Sequence, residues 1–269
     1  MTVVDSIGAV GERRLWRSVA VPSEHGGWGL TLEPVLLGLL IAPSIPGVLL
    51  GIVALVAFLV RTPLKLVVID ARRGRWLNRS RLAMRIAIGE LVVLATLASI
   101  ALPAAGWSWL VVIAIAAPLV GVEFWFDVRS RGRRLIPELC GAAGIASVTA
   151  VIMLAGGRGA GLAIGAWLVL CARAVGSISF IRVQIARLRR QSINIWFSDA
   201  AQFIAIGIGV LAVVIDRQMM FGLVGLLVLA VLQLGWVRRT PLGAKVMGVR
   251  QMMLGVGLVA ATAIGAMIL

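Results

Sequence analysis

The sequence has few of the residues that form disulfides and metal sites. It contains 2 cysteines and 1 histidine, and it has only 11 acidic residues against 26 lysines and arginines. Cys140 and Cys171 lie in apolar runs, and neither has metal-type spacing with another cysteine or histidine. A lone histidine is a poor metal site without such partners. We therefore predict no disulfide, no metal site and no cofactor.

Sequence motifs of several common enzyme classes are also missing. The chain has no nucleotide-binding loop, no zinc-peptidase helix and no Ser-His-Asp pattern. The stretch GGRGAG at 156–161 follows no strand and lacks the Lys-Ser/Thr ending of a phosphate-binding loop. The motifs therefore identify no catalytic residue, and whether the protein is an enzyme stays open.

Apolar residues and positive charge are abundant instead. Of the 269 residues 61% are hydrophobic, the mean hydropathy is +1.04 and the net charge is +15. Soluble domains are only about 45–50% apolar, so we predict an all-α, multi-pass protein of the cell inner membrane. We assign the basic charge to cytoplasmic connections and to contacts with membrane lipids. Because no aromatic-rich soluble module accompanies it, we predict no nucleic-acid partner.

Nine apolar runs approach the length of about 20 residues that a helix needs to cross a bilayer. The predicted spans are 26–43, 46–69, 84–104, 107–127, 136–156, 160–181, 197–216, 219–237 and 246–269. They form a single domain, 26–269, after a cytoplasmic segment, 1–25. The two long basic connections, 70–84 and 182–197, are predicted to form helices on the membrane surface.

The distribution of charge orients these spans. With nine alternating helices all arginine-rich connections fall on one side, and the opposite connections, APSIPG, PAAGW, GGRG and DRQ, are short and nearly uncharged. The positive-inside rule then places the N-terminus in the cytoplasm and the C-terminus outside. Eight or ten helices would break this alternation.

Ionisable residues within the spans are candidates for a ligand site, because charge inside a bilayer is costly. Most of them fall in the predicted cytoplasmic half, which indicates a polar cavity that opens to the cytoplasm. Ion pairs between helices, and side chains that reach the headgroups, are the structural alternative. The candidate ligand-binding residues are Arg61, Lys65, Asp70, Glu90, Asp127, Arg173 and Ser177.

Arg173 is the basic residue predicted to lie deepest. An unpaired charge there costs about 2.5–3.5 kcal/mol on insertion scales, so it needs a protein carboxylate or a bound anion. Glu90 is the expected carboxylate, and a ligand is the functional alternative. For Glu24 and His25, just before the first span, a helix-entry turn and a functional site both stay open.

The string RTPL occurs twice, at 61–64 and at 239–242. Both copies can be interpreted as helix exits at the cytoplasmic face, where proline ends regular hydrogen bonding and arginine reaches the headgroups. The other interpretation is a weak internal repeat that lines one cavity.

Two stretches carry a family resemblance. PSEHGGWGLTLEP at 22–34 and FDVRSRGRRLIPELCGAAG at 126–144, with nine predicted helices, resemble the YwiC-like family of bacterial membrane proteins. The resemblance covers nearly the whole chain, and its specific part is the first motif. It implies a membrane protein without a defined activity.

A more distant resemblance is to the UbiA superfamily of intramembrane prenyltransferases, through the second stretch and ARAVGSISFIRVQIARLRR at 172–190. It implies a nine-helix UbiA-like bundle with its site at the cytoplasmic helix ends. UbiA enzymes hold magnesium and a prenyl diphosphate with two aspartate-rich motifs. Here the first position offers only Asp70, and 173–196 contains no Asp or Glu. Magnesium needs oxygen ligands, so we expect basic side chains to bind an anion directly.

These observations predict a cytoplasm-facing basic cavity that binds an anionic lipid or isoprenoid-type molecule. Arg61, Lys65 and Arg173 would hold the anion, and the acidic candidates would orient these bases or exchange protons. A transferase-like activity is compatible with the UbiA resemblance. Two other classes stay open, namely a transporter of small anions or metabolites and a non-catalytic membrane assembly subunit with an unknown protein partner.

Overall fold

A computed structural model describes residues 16, 19–20, 25–129, 131–132 and 134–269, without the side chain of His25. The cytoplasmic segment predicted at 1–25, including Glu24, lies almost entirely outside the described residues. Within the described ranges all regular secondary structure is helical and no strand occurs.

Ten α-helices and one short 3-10 helix, Arg217–Met219, have defined bounds. The α-helices are α1 His25–Ile41, α2 Ile45–Arg72, α3 Asn78–Ala105, α4 Ser108–Val128, α5 Leu135–Ala146, α6 Val148–Ala155, α7 Ala160–Leu188, α8 Trp196–Ile215, α9 Met220–Trp236 and α10 Ala244–Ile268. A turn at Ser147 separates α5 from α6, and together they make one span.

The lengths confirm the predicted all-α, nine-helix membrane architecture. Eight helical stretches of the described chain are long and apolar enough to cross a membrane. The ninth, α1, has 17 residues, which is about 26 Å at 1.5 Å per residue and slightly less than the roughly 30 Å of a bilayer core. Pro34 lies inside α1, and the buried hydroxyl of Thr149 donates a 2.9 Å hydrogen bond to its carbonyl.

Hydrogen bonds cap two helix ends beside the connection 42–44. Ser44 precedes α2, and its hydroxyl accepts a hydrogen bond from the backbone N–H of Gly47 at 3.1 Å, the usual role of a serine N-cap. At the same end of the bundle, Arg158 donates two hydrogen bonds to the carbonyl of Ile41. This arginine, in a connection that is otherwise uncharged, thereby satisfies a free carbonyl at the end of α1.

The centre of the bundle is formed by α7 and by the α5–α6 span. In their most apolar windows 67% and 61% of residues are buried, against 11% for α3 and 17% for α4. Helices α3 and α4 therefore present most of their apolar surface outward, as helices at the lipid boundary do. The central position of α7 brings its polar residues into the protein core.

The predicted surface helices at 70–84 and 182–197 are wrong. The sequence 70–84 is divided between the end of α2, a connection at 73–77 and the start of α3, while α7 continues to Leu188 before a connection at 189–195. Arginine lowered the local hydropathy, which made these helices look shorter than they are, although arginine has a high helix propensity.

The membrane orientation can be tested by cysteine labelling after Cys140 and Cys171 have been replaced by alanine. Arg131 and Arg189 lie in arginine-rich connections, and Gly157 lies in a connection on the opposite side. We expect Gly157→Cys to react with a membrane-impermeant maleimide in intact cells, because its connection is predicted outside. Arg131→Cys and Arg189→Cys should react only after permeabilisation. Labelling of Arg131→Cys in intact cells would contradict the orientation.

Candidate functional site

The candidate residues identified from the sequence do not form one cavity. They divide into three clusters and one separate carboxylate, namely Arg61 with Lys65 and Asp127, Arg173 with Ser177, Asp70 with Ser80 and Arg79, and Glu90.

The first cluster joins α2 to α4. Arg61 Nη2 lies 2.6 Å from Glu123 Oε1 and 3.1 Å from Asp127 Oδ2, and Lys65 Nζ lies 2.6 Å from Asp127 Oδ1. Each pair of like charges is spaced i, i+4, which puts both members on one helix face. Two cations therefore face two carboxylates, and this charge-balanced cluster holds the two helices together.

Asp70 organises the connection between α2 and α3. Its carboxylate accepts hydrogen bonds from Ser80 Oγ at 2.6 Å and from Arg79 Nη2 at 3.2 Å, and its backbone carbonyl accepts from the N–H of Arg75. The carboxylate is buried, and these contacts use the acceptors that a magnesium ion would need. The geometry assigns Asp70 to the turn.

Arg173 is buried near the middle of α7 and forms an ion pair with α1. Its Nη2 lies 2.7 Å from Glu33 Oε1, and both side chains are only 5% exposed. Arg173 also donates to Ser177 Oγ at 3.0 Å and to the backbone carbonyl of Gln251 at 2.8 Å. The expectation that Glu90 is its partner is wrong, since Glu33 occupies that position.

A chain of buried amides continues from this ion pair toward the arginine-rich end of the bundle. Gln233 lies within 3.5 Å of both Ser177 Oγ and Gln251 Oε1, and Gln202 Nε2 donates to Gln233 Oε1 at 3.0 Å. The glutamines come from α8, α9 and α10, and all three are buried. Buried amides need hydrogen-bond partners, so this network fixes how the three helices pack against α7.

A cavity, here called the basic pocket, lies at the end of this network. It has a volume of about 170 Å³ and is bounded by α7, the end of α9, the connection 237–243 and the start of α10. Its polar lining consists of Gln184, Trp236, Arg239, Thr240, Arg250 and Gln251. None of the residues that line it within the described chain is acidic, so the pocket is suited to an anion.

Two buried polar atoms of the pocket have no hydrogen-bond partner in the part of the chain that the structure describes. They are Gln184 Oε1 and Gln251 Nε2. Gln184 is 3% exposed, and its Nε2 donates to the carbonyl of Trp236 at 3.0 Å. This bond fixes the amide orientation, because only the NH₂ group can donate to a carbonyl. Both residues line the cavity, and both atoms are buried in its wall.

The wall of the basic pocket is held by arginines on two sides. Arg187 donates to the backbone carbonyls of Val237 and Arg239, which fixes the connection against α7. Arg238 makes two hydrogen bonds to the carboxylate of Asp199, and this partner raises the pKa of Arg238. Arg250 stacks its guanidinium 4.0 Å above the ring of Trp236, so it is positioned by a cation–π contact.

A second cavity, the apolar groove, adjoins the basic pocket on the outer face of α10. It is about 460 Å³ in volume and is lined by Lys245, Val246, Val249, Arg250, Met253 and Leu254. Arg250 therefore belongs to both spaces. Apolar side chains line the groove along α10. Its two cationic residues, Lys245 and Arg250, are in the part of α10 nearer the arginine-rich end of the bundle.

The sequence interpretation missed the basic pocket for identifiable reasons. It considered ionisable residues as the polar groups of the spans, whereas the buried network is made largely of glutamines. Arg239 and Arg250 were assigned to topology, because arginines at helix ends usually are. The repeated RTPL string was a partial indication, since its second copy contributes Arg239, Thr240 and Leu242 to the pocket. The first copy lies inside α2, so the two copies share neither a helix exit nor a cavity.

The described residues contain no group of three or more His, Cys, Asp or Glu side chains that could hold a metal ion. The carboxylates are instead distributed over separate ion pairs with arginine and lysine.

Comparison with known proteins gives one family. Residues 21–153 match the family model described as YwiC-like protein. The curated proteins and the solved structures give no match. The matched part includes α1, α2 and α4, and thus Glu33 and the first charge cluster, while the basic pocket lies in the remainder of the chain. The UbiA-like arrangement stays a prediction.

Proposed function

We propose that this membrane protein, a member of the YwiC-like family through residues 21–153, binds an anionic lipid or isoprenoid-type molecule at its cytoplasmic side. The observation that supports this most directly is the position of Arg250, which lines both the basic pocket and the apolar groove. An amphiphile would place its anionic head in the first space and its apolar chain in the second.

The head of such a molecule would contact two guanidinium groups. Arg239 and Arg250 have no carboxylate within ion-pair distance among the described residues. Guanidinium groups bind phosphate and carboxylate through paired, charge-assisted hydrogen bonds. An anion would therefore find its counter-charges already in place, without displacing an internal partner.

The apolar chain would lie along α10. Val246, Val249 and Met253 are exposed to the exterior of the bundle and follow each other at helical spacings of three and four residues. They form one stripe about 10 Å long, given a rise of 1.5 Å per residue. A stripe that begins at Lys245 and Arg250 and continues into the bilayer matches the polarity of a lipid or isoprenoid.

The residues first selected from the sequence take supporting roles in this proposal. Arg173 acts on the pocket through Gln251, whose backbone carbonyl it holds at 2.8 Å. Ser177 and Gln233 extend the same support. Arg61 and Lys65 hold α2 against α4, and a direct contact between them and the anion would require Glu123 and Asp127 to move away.

Native mass spectrometry of the purified protein tests the proposal. We expect a lipid-sized anionic molecule to be retained by the wild type, and Arg239→Gln or Arg250→Gln to reduce its occupancy about tenfold or more, since a hydrogen bond to a charged group contributes about 1.5–3 kcal/mol. EDTA should leave the occupancy unchanged, because basic side chains hold the anion.

Arg189→Gln is the matched control, because Arg189 is exposed on the same side of the bundle and does not line the pocket. It should retain the bound molecule. Wild-type occupancy in both pocket variants, or loss of the molecule on removal of magnesium, would refute the proposal.

A transporter of small anions remains the second candidate. The interruption of the α5–α6 span at Ser147 favours it, since discontinuous helices are common at transport sites. Exchange of labelled phosphate by reconstituted protein would support this function over retention of a lipid.

A further inference from the structure

We infer that the basic pocket recognises a phosphate ester that carries a free hydroxyl group, in preference to a bare phosphate or to a head with an ammonium group. This inference rests on the proposed function and specifies the chemical class of its ligand. It depends on which atoms the pocket leaves without a partner.

The first step concerns Gln184. Its NH₂ group is committed to the carbonyl of Trp236, so the atom that remains free is the carbonyl oxygen, Oε1. This oxygen is a hydrogen-bond acceptor only. An oxygen of a fully deprotonated phosphate cannot satisfy it, because both atoms would present lone pairs. A ligand that reaches this atom must therefore bring a donor.

The second step concerns the other groups of the pocket. Arg239 and Arg250 are donors without acceptor capacity. Gln251 accepts through Oε1 from Gln233 and keeps its Nε2 as a free donor. Among the amide and guanidinium groups that line the pocket, this leaves three donor groups and one obligatory acceptor, while the Thr240 hydroxyl can donate or accept. This arrangement fits a ligand with several anionic oxygens and at least one donor nearby.

The donor is better supplied by a hydroxyl than by an ammonium group. An ammonium would lie among two guanidinium groups, and no acidic side chain of the described residues lines the pocket to compensate for its charge. Like charges at such distances disfavour each other. A hydroxyl group donates to Gln184 Oε1 without adding positive charge.

The size of the cavity agrees with such a head. At roughly 30 Å³ for a water-sized group, the volume of about 170 Å³ accommodates four phosphate oxygens and one hydroxyl. Phosphatidylglycerol carries a phosphate ester with two free hydroxyl groups on its terminal glycerol, and glycerol 1-phosphate carries the same groups in a soluble molecule. The two sources share the head chemistry, and only the first also fills the apolar groove.

The inference is tested by measuring the affinity of delipidated wild-type protein for lipids with identical acyl chains. Phosphatidylglycerol should bind at least about tenfold more tightly than phosphatidic acid, which corresponds to about 1.4 kcal/mol, and more tightly than phosphatidylserine. Phosphatidic acid has the larger negative charge, so charge alone predicts the opposite order. The wild-type comparison does not depend on the folding of any variant.

Gln184→Met should remove the preference, because methionine has no acceptor of comparable strength. Equal binding of all three lipids by the wild type would overturn the inference. The proposed function would still stand if Arg250→Gln weakened all three. If Arg250→Gln changed none of them, both would fail. Glycerol 1-phosphate should bind more weakly than phosphatidylglycerol, and equal affinity would identify a soluble ester as the ligand and leave the groove without a role.

Discussion

Replacing Arg173 with methionine is expected to destabilise the folded protein by about 3–5 kcal/mol, the range for breaking one side of a buried ion pair. The loss arises because Glu33 would keep its carboxylate inside the bundle without a counter-charge. The two side chains meet at 2.7 Å and are each only 5% exposed, so water cannot replace the missing guanidinium. Thermal unfolding of the purified protein in detergent measures the effect.

The matched double variant identifies the partner. Glu33→Gln in the Arg173→Met background removes the remaining charge and should recover most of the lost stability. Glu90→Gln in the same background should recover none, because Glu90 is not bonded to Arg173. Recovery by Glu90→Gln, or an Arg173→Met variant as stable as the wild type, would contradict the observed pairing.

The same variants separate the structural role of Arg173 from a direct role in binding. If Arg173 only supports Gln251, the double variant Arg173→Met/Glu33→Gln should retain a bound lipid once its stability is restored. If Arg173 contacts the anion, as the sequence first suggested, stability should recover while lipid retention does not. Native mass spectrometry of a variant that unfolds near the wild-type temperature provides this readout.

The overall architecture was predictable because membrane spans can be recognised from the hydropathy of consecutive residues. Each span is a local run of apolar residues, and the charges of the connections alternate with them, so number and order follow without knowledge of packing. The α5–α6 span was predicted as 136–156, and it is found at Leu135–Ala155. Errors arose where arginine continues a helix beyond its apolar part, as at Asn78 in α3.

Contacts within one helix were also accessible from the sequence. The i, i+4 spacing of Glu123 and Asp127, and of Arg173 and Ser177, places each pair on one helix face, and the side chains do act together. The partner of Arg173 was not accessible in this way. Glu33 lies 140 positions away in the chain, and its choice over Glu90 depends on which helices pack beside α7.

The basic pocket could not be predicted from the sequence for a different reason. Its lining comes from three helices and one connection, and its free atoms become apparent only after the other hydrogen bonds are assigned. Gln184 looks from the sequence like one more residue at a cytoplasmic helix end. Its commitment to Trp236 across 52 positions is what leaves its Oε1 without a partner among the described residues.

Substituting alanine for Gly255 is expected to destabilise the protein by about 1–3 kcal/mol through overpacking, and by more if it separates the buried ion pair. Gly255 lies on α10 directly against this pair. A β-carbon at this position would overlap Glu33 Oε1 and press on Arg173 Nη2. Either the two side chains of the ion pair or the helix that carries Gln251 would therefore have to shift.

Gly257→Ala is the control, because Gly257 is in the same helix and a β-carbon there meets open space. Alanine is the better helix former by about 1 kcal/mol, so this variant should unfold at or above the wild-type temperature. Shortening the opposing acid tests the steric cause directly. In the Gly255→Ala background, Glu33→Asp withdraws the carboxylate by one methylene and should recover part of the lost stability, whereas in the wild-type background the same change should cost stability by lengthening the ion pair. If Gly255→Ala and Gly257→Ala unfold at the same temperature, α10 does not pack against the pair as closely as the structure shows.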